Sequence, residues 1–254
     1  AAIEQGGDFD ETFTRLLVMK RAGRRAKILK AVELNNRAEG LMDIHEVAGH
    51  LPTWLSEQDA DDLDYVVGLP QYLAMTQTTD FPQAKQSRLQ QMVAHETQQL
   101  GGLTDETFYH DYLPQEPFHT WQNPVLIALC REPLLQDRVE LARVSGIKLD
   151  RLHMEGQALA ETFLDSRRRT GRSVDGLHLL LDIGTENTTL VLMLDGQILH
   201  LTTFLFGGHF FTESLARHLG TSEIEAENTK YDSTLAVSDG TSPLREAAQT
   251  LVAE

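Results

Sequence analysis

Apolar and polar positions divide the first half of the chain into short, well-marked segments. Residues 12–19 (TFTRLLVM) and 26–34 (AKILKAVEL) predict two strands joined by a basic, glycine-containing turn. Residues 41–57 carry a helical period. The acidic loop Asp61-Asp62-Leu63-Asp64 leads into Tyr65-Val66-Val67-Gly68-Leu69-Pro70, a short buried strand, and then into the alternating MTQTTDF, which Pro82 ends. Residues 83–100 predict a polar helix with a narrow apolar stripe at Leu89, Met92 and Val93, stopped by Gly101-Gly102. Strands are predicted at 108–113 and 124–130, around a loop containing Pro114, Pro117 and Trp121. An amphipathic helix follows over 132–145 with Gly146 as its cap, then a strand at 148–153, a helix at 155–166 and a charged linker at 167–175.

The last third is patterned differently. Residues 177–182 are almost continuously apolar, as expected of a strand buried on both faces. Gly184-Thr185 turns the chain, 188–194 runs back, Asp195-Gly196 signals a tight hairpin, and 198–205 is a third strand. Gly207-Gly208 then opens a helix over 211–219 whose first turn carries Thr212 and Glu213. A fainter version of the strand, acid and glycine order occurs at the start, in Ala1-Ala2-Ile3-Glu4-Gln5-Gly6-Gly7.

Composition adds exclusions. The 254 residues suffice for one large domain or two smaller ones. The net charge of −16 argues against nucleic acid, which demands clustered Lys and Arg. Arg167-Arg168-Arg169 with Arg172 is a short basic cluster and reads as a solvated helix end or loop. Cys130 is the single cysteine and sits in an apolar run, as buried filler in a reducing compartment would. No apolar run approaches the roughly 18 residues of a membrane-spanning helix. His45-Glu46-Val47-Ala48-Gly49-His50 imitates a zinc-protease helix, but its histidines stand five apart. That spacing rotates them off a common face by about 140°.

The run from 177 to 230 has the chemistry of a phosphate site. Gly184 admits a close ligand, successive N–H groups over 184–188 can form an anion nest, and Thr185 and Thr188 offer hydroxyls. Asp182 repels phosphate directly and would act through Mg²⁺, a hard cation that suits one carboxylate plus phosphate oxygens. Gly207-Gly208 before a helix provides a second close approach beneath a helix N-terminus.

DIGTENTTL, followed by LDGQILHLTTFLFGGHFFTESLARHLGTSEIEAENTK, resembles the PilM proteins of type IV pilus assembly, actin-like ATPases related to FtsA. Upstream, VVGLPQYLAMTQTTDFP, RLQQMVAHETQQL and NPVLIALCREPLLQDRVELARVSGIKLDRLHMEGQALAETF follow the same family order. The resemblance covers about residues 60–235 well and 1–60 loosely. It implies an α/β, actin-like (ribonuclease H-like) ATPase fold of two subdomains with a strand–helix–strand–strand insert. The implied divisions are a first subdomain at 1–79, the insert at 80–148, a return helix and linker at 149–176, and a partial second subdomain at 177–254.

By the same resemblance, Asp182, Gly184, Thr185 and Thr188 match the second phosphate loop, and Gly207 and Gly208 the glycine pair that approaches the nucleotide. Glu227 and Lys230 match a helix pair facing ribose and adenine, Glu155 an acid near the metal and attacking water, and Gly6 and Gly7 the first phosphate loop. ATP and Mg²⁺ are the implied cofactors, with Asp182 on the metal. The implied partners are the tail of a PilN-like inner-membrane protein, other platform proteins of the pilus machine and further copies of the chain, at the cytoplasmic side of the inner membrane.

Three departures stand against this. The first loop reads Glu4-Gln5-Gly6-Gly7-Asp8 where the family has Asp, then Gly and Ser. The family's Asp-x-Glu reads His153-Met154-Glu155, and the late glycine-rich adenosine motif and closing helix are missing, as expected either of a fragment or of a poor nucleotide binder. An ATP-binding scaffold with slow or no turnover is therefore expected. A nucleotide-free adaptor like the cytoplasmic part of a type II secretion assembly protein is the alternative, and a sugar-kinase-like enzyme the remaining one.

Overall fold

A computed structural model describes residues 2–9, 13–22, 25–36, 38–41, 43–58, 64–102 and 106–230. Its first sheet has the order β3-β2-β1-β4-β8. Strands β1 (Ala2–Phe9), β2 (Phe13–Ala22) and β3 (Arg25–Asn35) form an antiparallel meander, whereas β4 (Asp64–Leu69) runs parallel to β1 and β8 (Lys148–Met154) parallel to β4. Between β3 and β4 lies α1 (Ile44–Glu57). Asp43 caps it, its carboxylate accepting from the amides of His45 at 2.8 Å and Glu46 at 2.9 Å. Val47, Ala48, Leu51, Trp54 and Leu55 fall on one face and are buried against Leu16, Tyr65 and Val67 of the sheet and Leu141 and Ala142 of α3 (Glu132–Val144). Burying large side chains such as Leu51 and Leu55 contributes about 1.5–3 kcal/mol each, which fastens the helix to the sheet.

The insert is a second, three-stranded sheet in the order β5-β7-β6. Its chain order is β5 (Ala74–Asp80), α2 (Gln86–Leu100), β6 (Phe108–Pro114) and β7 (Pro124–Arg131), the expected strand–helix–strand–strand. Val93 of α2 packs with Val125, Ile127 and Leu129 of the central β7, and Leu89 and Met92 flank it. β5 pairs with β7, so residues 74–79, expected with the first subdomain, belong to the insert sheet.

The chain returns through β8 to α4 (Glu155–Thr170) and a third sheet, ordered β11-β10-β9. Here β9 is Leu177–Ile183, β10 is Thr188–Leu194 and β11 is Gln197–Phe204, all antiparallel. Asp195 (φ 51°) and Gly196 (φ 80°) make the tight turn between β10 and β11. Two helices follow, α5 (Gly208–Leu219) and α6 (Glu223–Lys230).

Two expectations change. The charged stretch from 167 is not linker: α4 continues to Thr170 and ends at Gly171 in the left-handed region (φ 64°). Arginines suit that place, because the last turn of a helix favours positive charge, and the Arg167 guanidinium lies 5.1 Å above the Phe163 ring. Nor is β9 buried on both faces. Leu180 packs toward α4, but Leu177, Leu179, Leu181 and Ile183 are all exposed. β9 stands at the end of its sheet, and among the described residues only the α4 face is covered.

Candidate functional site

The turn between β9 and β10 is built by backbone. The Gly184 amide donates to Asn187 O at 2.9 Å. Gly184 O and Thr185 O in turn accept from the amides of Gly208 and His209, each at 2.8 Å. The first turn of α5 is thereby stitched to the β9–β10 turn, and two helix-start N–H groups find acceptors without any side-chain cap. Gly207 makes this possible through space rather than dihedral freedom, since its φ of −149° is ordinary extended backbone. A Cβ there would lie 2.4 Å from Thr185 O and 2.7 Å from Gly184 O.

Asp182 and Thr185 are exposed beside this turn. Among the described residues, the Thr185, Glu186 and Asn187 amides have no backbone acceptor, which leaves N–H groups for an anion. Thr188 departs from expectation. It is buried, and its hydroxyl donates to Phe206 O at 2.7 Å. It pins the exit of β11 instead of presenting a hydroxyl to phosphate.

Glu227 and Lys230, expected to face ribose and adenine, lie on α6 against the first turn of α5. Lys230 Nζ donates to Glu227 Oε2 (2.7 Å), Thr212 Oγ1 (2.8 Å) and Gly208 O (3.2 Å), and Thr212 donates to Glu227 Oε2 (2.5 Å). A cation at a helix N-terminus opposes the helix dipole, and Glu227 offsets that charge.

Glu155 is the first residue of α4 and accepts at Oε2 from the backbone N–H of Gln71, 3.1 Å away. Gln71 lies in a 3-10 turn just beyond β4, and its own side chain is buried with Oε1 lacking any partner. One close approach and one ordinary contact place α4 against the third sheet. A Cβ at Gly156 would lie 2.1 Å from Leu201 Cδ1, and one at Gly196 would lie 3.7 Å from Leu164 Cδ2. α4 therefore begins at the end of the third sheet where β11 leaves for Gly207 and β9 delivers Asp182. Asp182, Gly184, Thr185, Gly207 and Gly208 sit together at that end, and Glu155 precedes the glycine that packs on Leu201 of β11.

Gly6 and Gly7 do not form a loop. Both lie inside β1, paired with Leu17 and Leu16 of β2 and with Val66 and Val67 of β4. Residues 10–12, between β1 and β2, lie outside the described residues. Sequence reasoning missed Gln71 and Gly156. Pro70 at a strand end and a glycine in the first turn of a helix were the available signals.

A meander of three strands plus a helix, occurring twice, with α4 joining the halves and glycine turns at one sheet end, defines an actin-like α/β protein. A solved PilM-PilN type IV pilus biogenesis complex is similar over 98% of this chain and 73% of that one, at 18% identity and a TM-score of 0.77. Ethanolamine utilization protein EutJ from Carboxydothermus hydrogenoformans is similar over 99% of this chain and 68% of that one, at 12% identity and a TM-score of 0.52. The sequence profile of the type IV pilus assembly protein PilM family matches residues 25–252, and the chain belongs to that family.

Proposed function

We propose that this protein is a cytoplasmic scaffold of a type IV pilus or related secretion machine, that it binds ATP with Mg²⁺, and that it turns ATP over slowly or not at all. The observation that carries the nucleotide part is the Gly184–Thr185 turn stitched to Gly207–Gly208. It combines free amides, an exposed Asp182 and a glycine whose Cβ the backbone excludes. Asp182 fits Mg²⁺ as its carboxylate ligand, because this ion keeps several waters and takes its remaining ligands from phosphates. Thr185 would donate to a phosphate oxygen, Lys230 and Glu227 would meet the sugar, and Glu155, steadied by the Gln71 amide, would orient water.

The partner reading rests on the insert. Tyr109 and Leu113 of β6 are exposed on the sheet face shared with Cys130 and Leu126, with Asp111 between them and Tyr72 also exposed. An apolar strip with acidic neighbours on a chain of net charge −16 suits a short membrane-protein tail carrying apolar and basic residues, charge mainly hastening encounter. A PilN-like inner-membrane protein is the proposed owner of that tail. No helix among the described residues is long and apolar enough to cross a membrane, so in this reading the tail holds the scaffold at the inner membrane.

A specific observation favours the nucleotide-free adaptor as a second reading. Lys230, Glu227 and Thr212 satisfy one another, Thr188 is engaged internally, and Gly6 and Gly7 lie within a strand. Calorimetric titration of Mg-ATP into the wild type and Asp182→Ala separates the two. Binding that Asp182→Ala abolishes supports the nucleotide site, whereas no heat with either protein leaves the adaptor.

A further inference from the structure

We infer that the insert and the third sheet form one rigid unit, joined along the outer edge of β11, with Gln115 as the positioning residue of the joint. An edge strand presents a row of unpaired N–H and C=O groups. On β11 the insert's side chains take up this row. The Gln115 carboxamide acts as a neighbouring peptide would: Nε2 donates to Ile198 O at 2.9 Å, and Oε1 accepts from Ile198 N at 2.6 Å. Its own backbone is fixed, because Gln115 N donates to Pro124 O at 2.8 Å. Thr76 and Thr78, two apart on β5 and so on one face, donate to Leu201 O at 2.5 Å and Ile198 O at 2.9 Å. Glu116 N adds a bond to Gln197 Oε1 at 3.1 Å.

The strand is shaped for this contact. Leu192 pairs with His200 and Met193 with Ile198, so Leu199 is an extra residue on β11. Such a bulge shifts the alternation of the strand by one. Ile198 and Leu201, three apart, thereby both turn their carbonyls outward to the insert. Leu126 of β7 closes the joint from the apolar side, in one buried cluster with Ile198, Leu201, Val191 and Met193.

The insert is thus covalently part of the first half and clamped to the second. β11 runs on through 205–206 to Gly207, so a displacement of the glycine turns is carried by β11 into the insert and its Tyr109–Leu113 face. This transmission rests on the nucleotide reading above; the joint itself does not.

Hydrogen exchange of the whole chain, followed by mass spectrometry, tests both parts. Gln115→Leu keeps the side-chain volume and removes both amide bonds, so exchange at Ile198 should accelerate about tenfold with the melting transition retained. Exchange at Ile198 within twofold of wild type would overturn the joint. Thr76→Val with Thr78→Val removes the other donors and should loosen residues 197–203. Should Gln115→Leu fail to fold, unchanged exchange in the threonine pair overturns the joint instead. Mg-ATP added to wild type should slow exchange at 184–187 and also at 108–114, and the second effect should vanish in Gln115→Leu. Equal effects at 108–114 in both proteins would overturn transmission. Absence of any effect at 184–187 would count against the nucleotide reading and with it transmission, while the Ile198 result still decides the joint.

Discussion

The two meanders of this molecule share a topology and differ at their margins. β1–β2–β3 and β9–β10–β11 are each three antiparallel strands followed by a helix, and in each the third strand carries one extra residue against the second, Leu29 on β3 and Leu199 on β11. In the first meander no strand among the described residues pairs with the outer edge, where Ile28 and Leu29 are exposed and the bulge and Lys27 blunt it. In the second the same edge is closed by Gln115, Thr76 and Thr78. The inner strands are reversed: β1 is flanked by β4, whereas β9 has no strand beyond it among the described residues.

The helix starts differ most. α1 is capped by a side chain of its own segment, Asp43, and its leading amides are satisfied locally. α5 has no side-chain cap, and its leading amides are satisfied by the carbonyls of a distant turn. One topology therefore yields a self-contained structural helix in one half and, in the other, a helix start tied to a turn that can meet a ligand.

Four substitutions probe this difference. Gly207→Ala places a methyl against backbone carbonyls that cannot withdraw separately, and a loss of about 3 kcal/mol is expected in urea unfolding. Gly49→Ala in α1 is its control. Nothing lies within 4 Å of a Cβ there, and the change should stabilise by up to about 1 kcal/mol. If both substitutions destabilise equally, the contrast between the helix starts is wrong.

Gly156→Ala meets a Leu201 methyl, which can rotate aside, so the expected loss is smaller, about 2 kcal/mol, with the 197–201 segment exchanging faster. Asp43→Ala should cost about 1 kcal/mol through the lost cap and leave exchange at 184–187 unchanged. A change there would mean that the halves are not independent at their helix starts.

The smallest effect concerns the exposed pair on α3. The hydrogen bond from Arg143 holds the Glu140 carboxyl below the usual carboxylate range. Such a group stabilises the fold above the ordinary carboxylate pKa and loses that contribution as pH falls through its depressed value. Because the pair is fully exposed, Arg143→Ala should move the urea midpoint at neutral pH barely beyond error, and still less in acid.

Much of this architecture was legible along the chain. The stripe Leu89, Met92 and Val93 predicts α2 and its buried face, because a helix displays its period directly. Asp195-Gly196 predicts its turn because few residues tolerate both dihedrals. The glycines and acid of 182–208 pointed to the end of the third sheet where the turns meet.

Other features depend on contacts between distant segments. Gly6-Gly7 imitates a loop, but pairing with β2 and β4 draws both glycines into a strand. Thr188 carries a hydroxyl suited to phosphate, yet the path of β11 puts Phe206 O where that hydroxyl must donate. The apolar run 177–182 says that burial is favourable, not which faces a neighbour covers. Gln71 and Gln115 are ordinary polar residues until the fold sets Glu155 beside one amide and Ile198 beside the other. Sequence by itself determined most of the elements and the family, because periodicity and turn preference are local. Only the tertiary structure decided which hydroxyls, amides and edges remain available, because each depends on an acceptor or donor brought from far along the chain.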